Sequence, residues 1–322
     1  MKAALPQLTL PFADAAAPAA GAADGPVLDE RNATAYVEMT CRSILNWAQG
    51  TRMKEVFTVN PYRGCEFGCA YCYARYTHEF LELSHWEDFE RRIFVKANAP
   101  EIFRREIRRK DVLRHGIAIG TATDPYQPAE RRFGITRRIL ESLLPFRDIP
   151  ISLVSKSGLI ERDAELLGEL SRRHPVDVLT SCISLDRELL RALERRSATP
   201  ERRFAAMEKL TAAGVRCGII VAPILPGLTD GVDDLTALLV RAKAAGASFV
   251  VSQVLFLSPS SKKRFFPWLQ QNAPWLYERY GAAYARGVYD DPSYRDDVRR
   301  HLAEAMRRAG FDEAARRRPR AA

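Results

Sequence analysis

An α/β fold built on a mostly parallel sheet is the class this sequence predicts, on three observations. Seven short apolar or β-branched runs recur along the chain, helix-period segments with recognisable ends lie between them, and polar residues gather where the runs stop. The runs are EVFTVN (55–60), RRIFVKA (91–97), GIAIGTAT (116–123), ISLVSKS (151–157), DVLTSCIS (177–184), RCGIIVAPI (216–224) and FVVSQVLFL (249–257). Most are apolar throughout rather than alternating, the pattern of strands covered on both faces by crossover helices.

The helices are punctuated where the strands require it. Thr199 is placed to cap a helix that begins at Pro200, carries Phe204, Met207 and Leu210 on one face and stops at Gly214. Leu235, Leu238, Leu239 and Ala242 form a second apolar stripe that stops at Gly246, just before the last run. Repeated β/α units with right-handed crossovers give a doubly wound sheet or a barrel. About six units are visible, too few for eight strands, so the expectation is an incomplete, open barrel with its functional residues at the C-terminal strand ends. The polar residues agree. Cys65 follows the first run; Thr121, Thr123 and Asp124 follow IAIG; Lys156 ends ISLVSK; Ser181 and Ser184 end DVLTSCIS. Each alone reads as an ordinary cap or loop residue, and their repetition on successive strands is what points to a site.

Three regions follow along the 322 residues. Residues 1–30 are rich in Ala, Pro and Gly without a hydrophobic period, and are expected to be a disordered arm. Residues 31–258 would hold the barrel and its lead-in, and 259–322 a helical C-terminal extension ending in a basic tail after Phe311. A hydrophobic content of 47% leaves ample material for a core. No run approaches the roughly 18 apolar residues that span a bilayer, and the N-terminus lacks the layout of a secretory signal. A cytoplasmic protein without a membrane partner is expected. The net charge of +9 is compatible with nucleic acid or another anionic partner. Much of the excess lies in RREIRRK (104–110) and RRRPR (316–320), which read more simply as solvated helix faces or a compositional preference for Arg.

Six cysteines are too sparse for a disulfide scaffold. Cys41, Cys182 and Cys217 lie apart, in or beside apolar segments, and are expected to be buried and inert. Cys65, Cys69 and Cys72 instead crowd into NPYRGCEFGCAYCYAR as C-x3-C-x2-C. Thiolates are soft ligands for zinc or an iron-sulfur cluster. Gly64 and Gly68 would let the backbone turn tightly around such a centre. A structural zinc normally closes with a fourth ligand, for which His78 is the nearest histidine downstream, although the spacing is not that of a paired zinc knuckle. On that reading the chain would be a non-enzymatic nucleic-acid-binding protein holding a structural metal. With a four-iron cluster, three cysteines leave one iron open for a chelating ligand.

The motif C-x3-C-x-aromatic-C, with Tyr71 as the aromatic, resembles that of the radical S-adenosylmethionine (SAM) enzymes. Its flanks, with GTATDPYQPAE, SKSGLIERD and VAPILPGLTD, resemble the branch that includes spore photoproduct lyase, over residues of about 55–257. The resemblance implies a partial (β/α)6 TIM-like barrel, a [4Fe-4S] cluster on Cys65, Cys69 and Cys72, and SAM chelating the open iron. It implies reductive cleavage of SAM to a 5′-deoxyadenosyl radical that abstracts hydrogen, and an electron donor such as flavodoxin or ferredoxin. By position, Thr123 and Asp124 match the segment that holds the methionine end of SAM. Lys156 and Ser181 match residues expected at its carboxylate, an ammonium-carboxylate contact being charge-assisted. Tyr71 would lie near the adenine and Tyr73 near the reaction site. Glu194 aligns with a family LEP segment but stands here in LERR, where an exposed helical charge is an equal reading. Spore photoproduct lyases also carry a cysteine after the second core strand that returns hydrogen to the product radical. This chain has Thr121 there, and a hydroxyl is a far poorer hydrogen-atom donor than a thiol.

Overall fold

The computed structural model describes residues 25–31, 33–48, 55–108, 111–285, 287–288 and 292–312. Its strands in chain order are β1 (Val27–Arg31), β2 (Thr34–Glu38), β3 (Asn46–Ala48), β4 (Val56–Val59), β5 (Tyr62–Arg63) and β6 (Arg92–Val95), followed by β7 (Ile117–Ile119), β8 (Ile151–Ser155), β9 (Val176–Ser181), β10 (Arg216–Ile224) and β11 (Phe249–Val254). The principal sheet has the order β11-β10-β9-β8-β7-β4-β3. From β4 to β11 every pair is parallel, and β3 closes one edge antiparallel to β4. Strand neighbours follow chain order from β7 onward, as successive right-handed β/α units require.

The apolar runs become these strands because both sheet faces are covered. β4, β7 and β9 are buried along their whole length. Helices Ile135–Glu141, Ala164–Ser171, Pro200–Ala212 and Val232–Ala244 make the crossovers and deliver Ile139, Leu167, Phe204, Met207, Leu210 and Leu239 to one continuous core. Thr199 caps its helix as expected, its hydroxyl accepting from Arg202 N with Pro200 next in line.

Two expectations are corrected. RRIFVKA is a strand, but β6 lies in a second, four-stranded sheet of order β1-β2-β6-β5. It pairs parallel with β2 and antiparallel with β5, which lies at the entrance of the cysteine loop. An apolar run reports burial, and a small sheet packed against a large one buries its strands as fully; Ile93, Phe94 and Val95 show 1% exposure or less. The disordered arm expected over 1–30 is contradicted at its inner end, where Val27–Arg31 pairs with β2 in an antiparallel ladder; residues 1–24 lie outside the described residues.

The segment after β11 is helical: Pro259–Asn272, Tyr277–Tyr284 and Pro292–Arg308. The last of these lies on Val232–Ala244, where Arg308 meets Asp233 at 3.0 Å and Tyr294 donates to Asp230 at 3.0 Å. Phe265, Trp268, Tyr280 and Tyr284 are buried packing residues, and Trp275 is 72% exposed. The basic tail at 316–320 lies outside the described residues. No helix among the described residues is long and apolar enough to cross a membrane.

Candidate metal centre and active site

The loop that carries Cys65, Cys69 and Cys72 leaves β4 at one end of the parallel strands and is tied down along its length. Asn60 begins it, donating to Thr121 Oγ1 at 3.0 Å and accepting from Ala122 N at 2.7 Å; Lys96 Nζ donates to its carbonyl at 2.8 Å. The Gly64 carbonyl accepts from Thr123 Oγ1 at 2.6 Å and from Gln127 Nε2 at 3.1 Å. Glu66 turns inward, accepting from Tyr36 OH and Ala129 N, each at 2.8 Å. On the far side Ala70 N donates to Leu193 O at 2.8 Å, and Arg75 donates to Cys69 O at 2.8 Å and pairs with Glu90 at 2.5 Å. The two glycines are needed for this path. Gly64 has φ +88°, and a Cβ there would stand 2.9 Å from Arg92 O; Gly68 has φ +62°, and a Cβ would meet Glu90 Oε2 at 2.7 Å.

Cys65 and Cys69 are buried and Cys72 is half-buried. Burial pushes the Cys69 thiol up to about 12, against the Lys156 ammonium 3.3 Å from its Sγ. Burial also raises Cys65, to which the neighbouring Asp124, Cys69 and Cys72 add. Among the described residues no group of three or more Cys, His, Asp or Glu side chains is placed to hold a single metal ion. His78, the fourth zinc ligand considered from the sequence, packs against Phe89 and Phe94, donates from Nε2 to Arg92 O at 2.9 Å and keeps Nδ1 buried without a hydrogen-bond partner; among the described residues it belongs to no group that could hold a single metal ion.

Lys156, at the end of β8, is the hub of the inner side. Its ammonium reaches Cys69 Sγ at 3.3 Å, Tyr71 OH at 3.0 Å and Glu194 Oε1 at 2.9 Å, which uses all three of its protons. Glu194 is not an exposed helical charge. It caps the C-terminus of helix Arg187–Leu193, its side chain is fully buried, and its oxygens also accept from Tyr71 OH, Arg203 Nη2 and Ser197 Oγ. Burial alone would raise its carboxyl, but Arg203 and Lys156 outweigh that and hold it below the usual carboxylate range. Arg203 is itself buried and donates to Ser181 O at 2.8 Å, which ties this cluster to the end of β9.

The remaining sequence-derived residues converge on the same rim. Asp124 accepts from Ser155 Oγ at 2.8 Å, Lys156 N at 2.9 Å and Tyr126 N at 2.9 Å, so it clamps the ends of β7 and β8 together. Thr123 spends its hydroxyl on the cysteine loop, as described above. Tyr73 donates to the Thr121 carbonyl, and Thr121 Oγ1 is held by Asn60. Ser181 is buried at the end of β9. Cys182 and Cys217 are buried as expected, whereas Cys41 is only half-buried, with its Sγ 3.3 Å from Asn98 Oδ1. Sequence reasoning missed Glu66, Arg75, Gln127 and Arg203. Their only signal was position: Glu66 and Arg75 flank the cysteines and Gln127 follows Asp124 by three residues, while nothing marked Arg203 among so many arginines.

This geometry can be set beside known proteins. A family model described as the radical SAM superfamily matches residues 59–239. An uncharacterised protein of Mycobacterium bovis is 39% identical over 269 residues, covering 83% of this chain and 79% of its own length. One of Methanocaldococcus jannaschii is 27% identical over 222 residues, 69% of this chain and 78% of its own length. Among solved structures, a spore photoproduct lyase mutant with bound AdoMet and dinucleoside spore photoproduct superposes with a TM-score of 0.62. It covers 85% of this chain and 79% of that one at 15% identity, a likeness of fold. The family match spans more than half the chain and takes in the whole cysteine loop, the strand-end residues, Glu194 and Arg203. The chain therefore belongs to the radical SAM superfamily.

Proposed function

We propose that this protein is a radical SAM enzyme that holds a [4Fe-4S] cluster through Cys65, Cys69 and Cys72 and binds SAM at the adjoining strand ends. The observation that carries the reading is the C-x3-C-x2-C loop of Cys65, Cys69 and Cys72, soft donors suited to an iron-sulfur cluster, lying against the strand ends with the Lys156 ammonium 3.3 Å from Cys69 Sγ, in a chain of the radical SAM superfamily. When bound, the cluster and SAM supply reductive cleavage to methionine and a 5′-deoxyadenosyl radical, which takes hydrogen from a substrate.

The chain's part is binding, orientation and shielding. Lys156 places an ammonium beside Cys69; meeting the carboxylate of SAM would exchange one of its three present partners, Cys69, Tyr71 or Glu194, for that carboxylate, with Ser181 on the neighbouring strand end. Asp124 and Thr123 fix the turn after β7 against the loop that would carry the cluster. Tyr71, buried against Lys156 and Glu194, would bound the adenine side; Tyr73, on the turn at Thr121, would face the reacting carbon. Thr121 stands where the lyases carry their hydrogen-returning cysteine, so the reading adopts their radical chemistry without their thymine-lesion substrate. A one-electron donor such as flavodoxin or ferredoxin completes the reaction.

The direct test is anaerobic reconstitution with iron and sulfide, then dithionite and SAM. Release of 5′-deoxyadenosine and methionine by the native chain, and its loss in Cys69→Ala, is the expected result. Equal release by the variant would sink the reading.

A further inference from the structure

The cysteine loop has an inner side, formed by Lys156 and Glu194, and an outer side that the mechanism leaves unused. On the outer side Arg196 N donates to Phe67 O at 3.4 Å, Ser261 Oγ donates to Cys72 O at 3.2 Å, and Glu90 closes over Gly68. Each of these contacts falls on the loop that carries the thiols.

The face carries surplus positive charge. One buried carboxylate, Glu90, serves Arg75 at 2.5 Å and Arg264 at 3.6 Å, the latter beyond hydrogen-bond reach. Arg75 Nε and Arg264 Nε are buried without a hydrogen-bond partner. Burial draws the Arg264 pKa down and Glu90 opposes; Arg75 and Arg195 press it further in the same direction as burial, which places a third guanidinium in the group. Arg264 also lies 4.4 Å over the Trp86 ring. Arg195 and Arg196 are exposed, and among the described residues neither makes a salt bridge, although Arg196 is near enough to the buried Glu66 to oppose the rise that burial gives its pKa. Crowding like charges around one carboxylate is unfavourable unless a counter-charge arrives from outside.

We propose that this outer face, centred on Arg195, Arg196 and Arg264, docks an acidic one-electron donor protein. The proposal rests on the function proposed above, since only a redox centre behind the loop gives such a partner a reason to dock. Position selects the donor over nucleic acid. A polynucleotide substrate would have to reach the strand ends on the inner side, whereas an electron donor needs only the shortest approach to the cluster. The step makes and breaks no bond: the donor's reduced cofactor loses one electron and the iron-sulfur centre gains it. Complementary charge accelerates encounter by 10- to 1,000-fold at low salt and loses that advantage as salt rises.

The test uses the full chain loaded with its cluster, comparing the native protein with the exposed double variant Arg195→Glu/Arg196→Glu. Oxidation of fully reduced flavodoxin is followed by stopped flow across a salt series, with dithionite as the small-reductant control. The expected result is that flavodoxin reduces the variant at least about tenfold more slowly at low salt, the difference shrinks as salt rises, and dithionite reduces both within about twofold. An unchanged flavodoxin rate would overturn the proposal, as would an equal fall with dithionite. So would weakened binding of a fluorescent DNA oligonucleotide with the flavodoxin rate intact. Because the readout is cluster reduction, a native protein that accepts electrons but leaves SAM whole would defeat the proposed function and not this surface.

Discussion

Glu194 shows how much of the site one side chain organises. Its carboxylate sits between Arg203 and Lys156 and receives Tyr71, so it orients the two residues that face Cys69. Removing one partner of a buried charge group costs about 3–5 kcal/mol. Glu194→Ala is expected to lose stability of that order by denaturant unfolding. Glu194→Gln, which keeps the shape, is expected to keep its iron and bind SAM about tenfold more weakly by equilibrium dialysis, the value of roughly one charge-assisted contact. None of this was legible in LERR, because a helical glutamate reads as exposed unless the chain end it caps is known to turn inward. His78 gives a second residue-scale prediction. Burial holds its pKa down at about 4, below the ordinary value of 6.5. The unfolded chain therefore binds the extra proton first, so the contribution of His78 is complete above pH 6.5 and is lost as pH falls toward 4. Over that window the native protein should lose about 3 kcal/mol more than His78→Gln, since one pKa unit is about 1.4 kcal/mol. Parallel unfolding curves for the two proteins at pH 7 and pH 4.5 would contradict this.

At the scale of elements, the cysteine loop is a short segment made rigid by what it lies against. Gly64 and Gly68 hold left-handed backbone in contact with Arg92 O and Glu90. Gly64→Ala is therefore expected to fold its sheet but retain less than half the native iron after reconstitution, read by metal analysis; full iron content would show that the loop can shift. The parallel strands were legible because burial on both faces leaves apolar runs, and β8, β9, β10 and β11 begin within a residue of where those runs do. β1, β2 and β3 were not. They are short, belong to antiparallel pairs, and carry polar residues such as Asp29, Glu30, Thr34 and Asn46 that break any apolar run. β6 was legible as a strand but not as a member of its sheet, since hydrophobicity reports that a face is covered and not by what.

For the whole molecule, the parallel strands bring to one rim residues that are scattered over more than a hundred positions, from Cys65 to Glu194 and Arg203. The site's existence was legible because polar residues recurred at successive strand ends. Its second half was not, because the return of segment 194–203 under the loop is a tertiary fact: Ala70 N meets Leu193 O, and Arg203 meets Ser181 O. The first C-terminal helix reaches this assembly, with Ser261 on Cys72 O and Trp268 on Ala192 O. The central claim is that this assembly encloses a cluster with one iron open to SAM. It is tested most directly by electron paramagnetic resonance of the reconstituted, dithionite-reduced protein before and after SAM is added. The expected result is about four irons per chain and a spectrum whose g values change on adding SAM. A spectrum indifferent to SAM, or a chain that takes up one zinc and no iron, would contradict it.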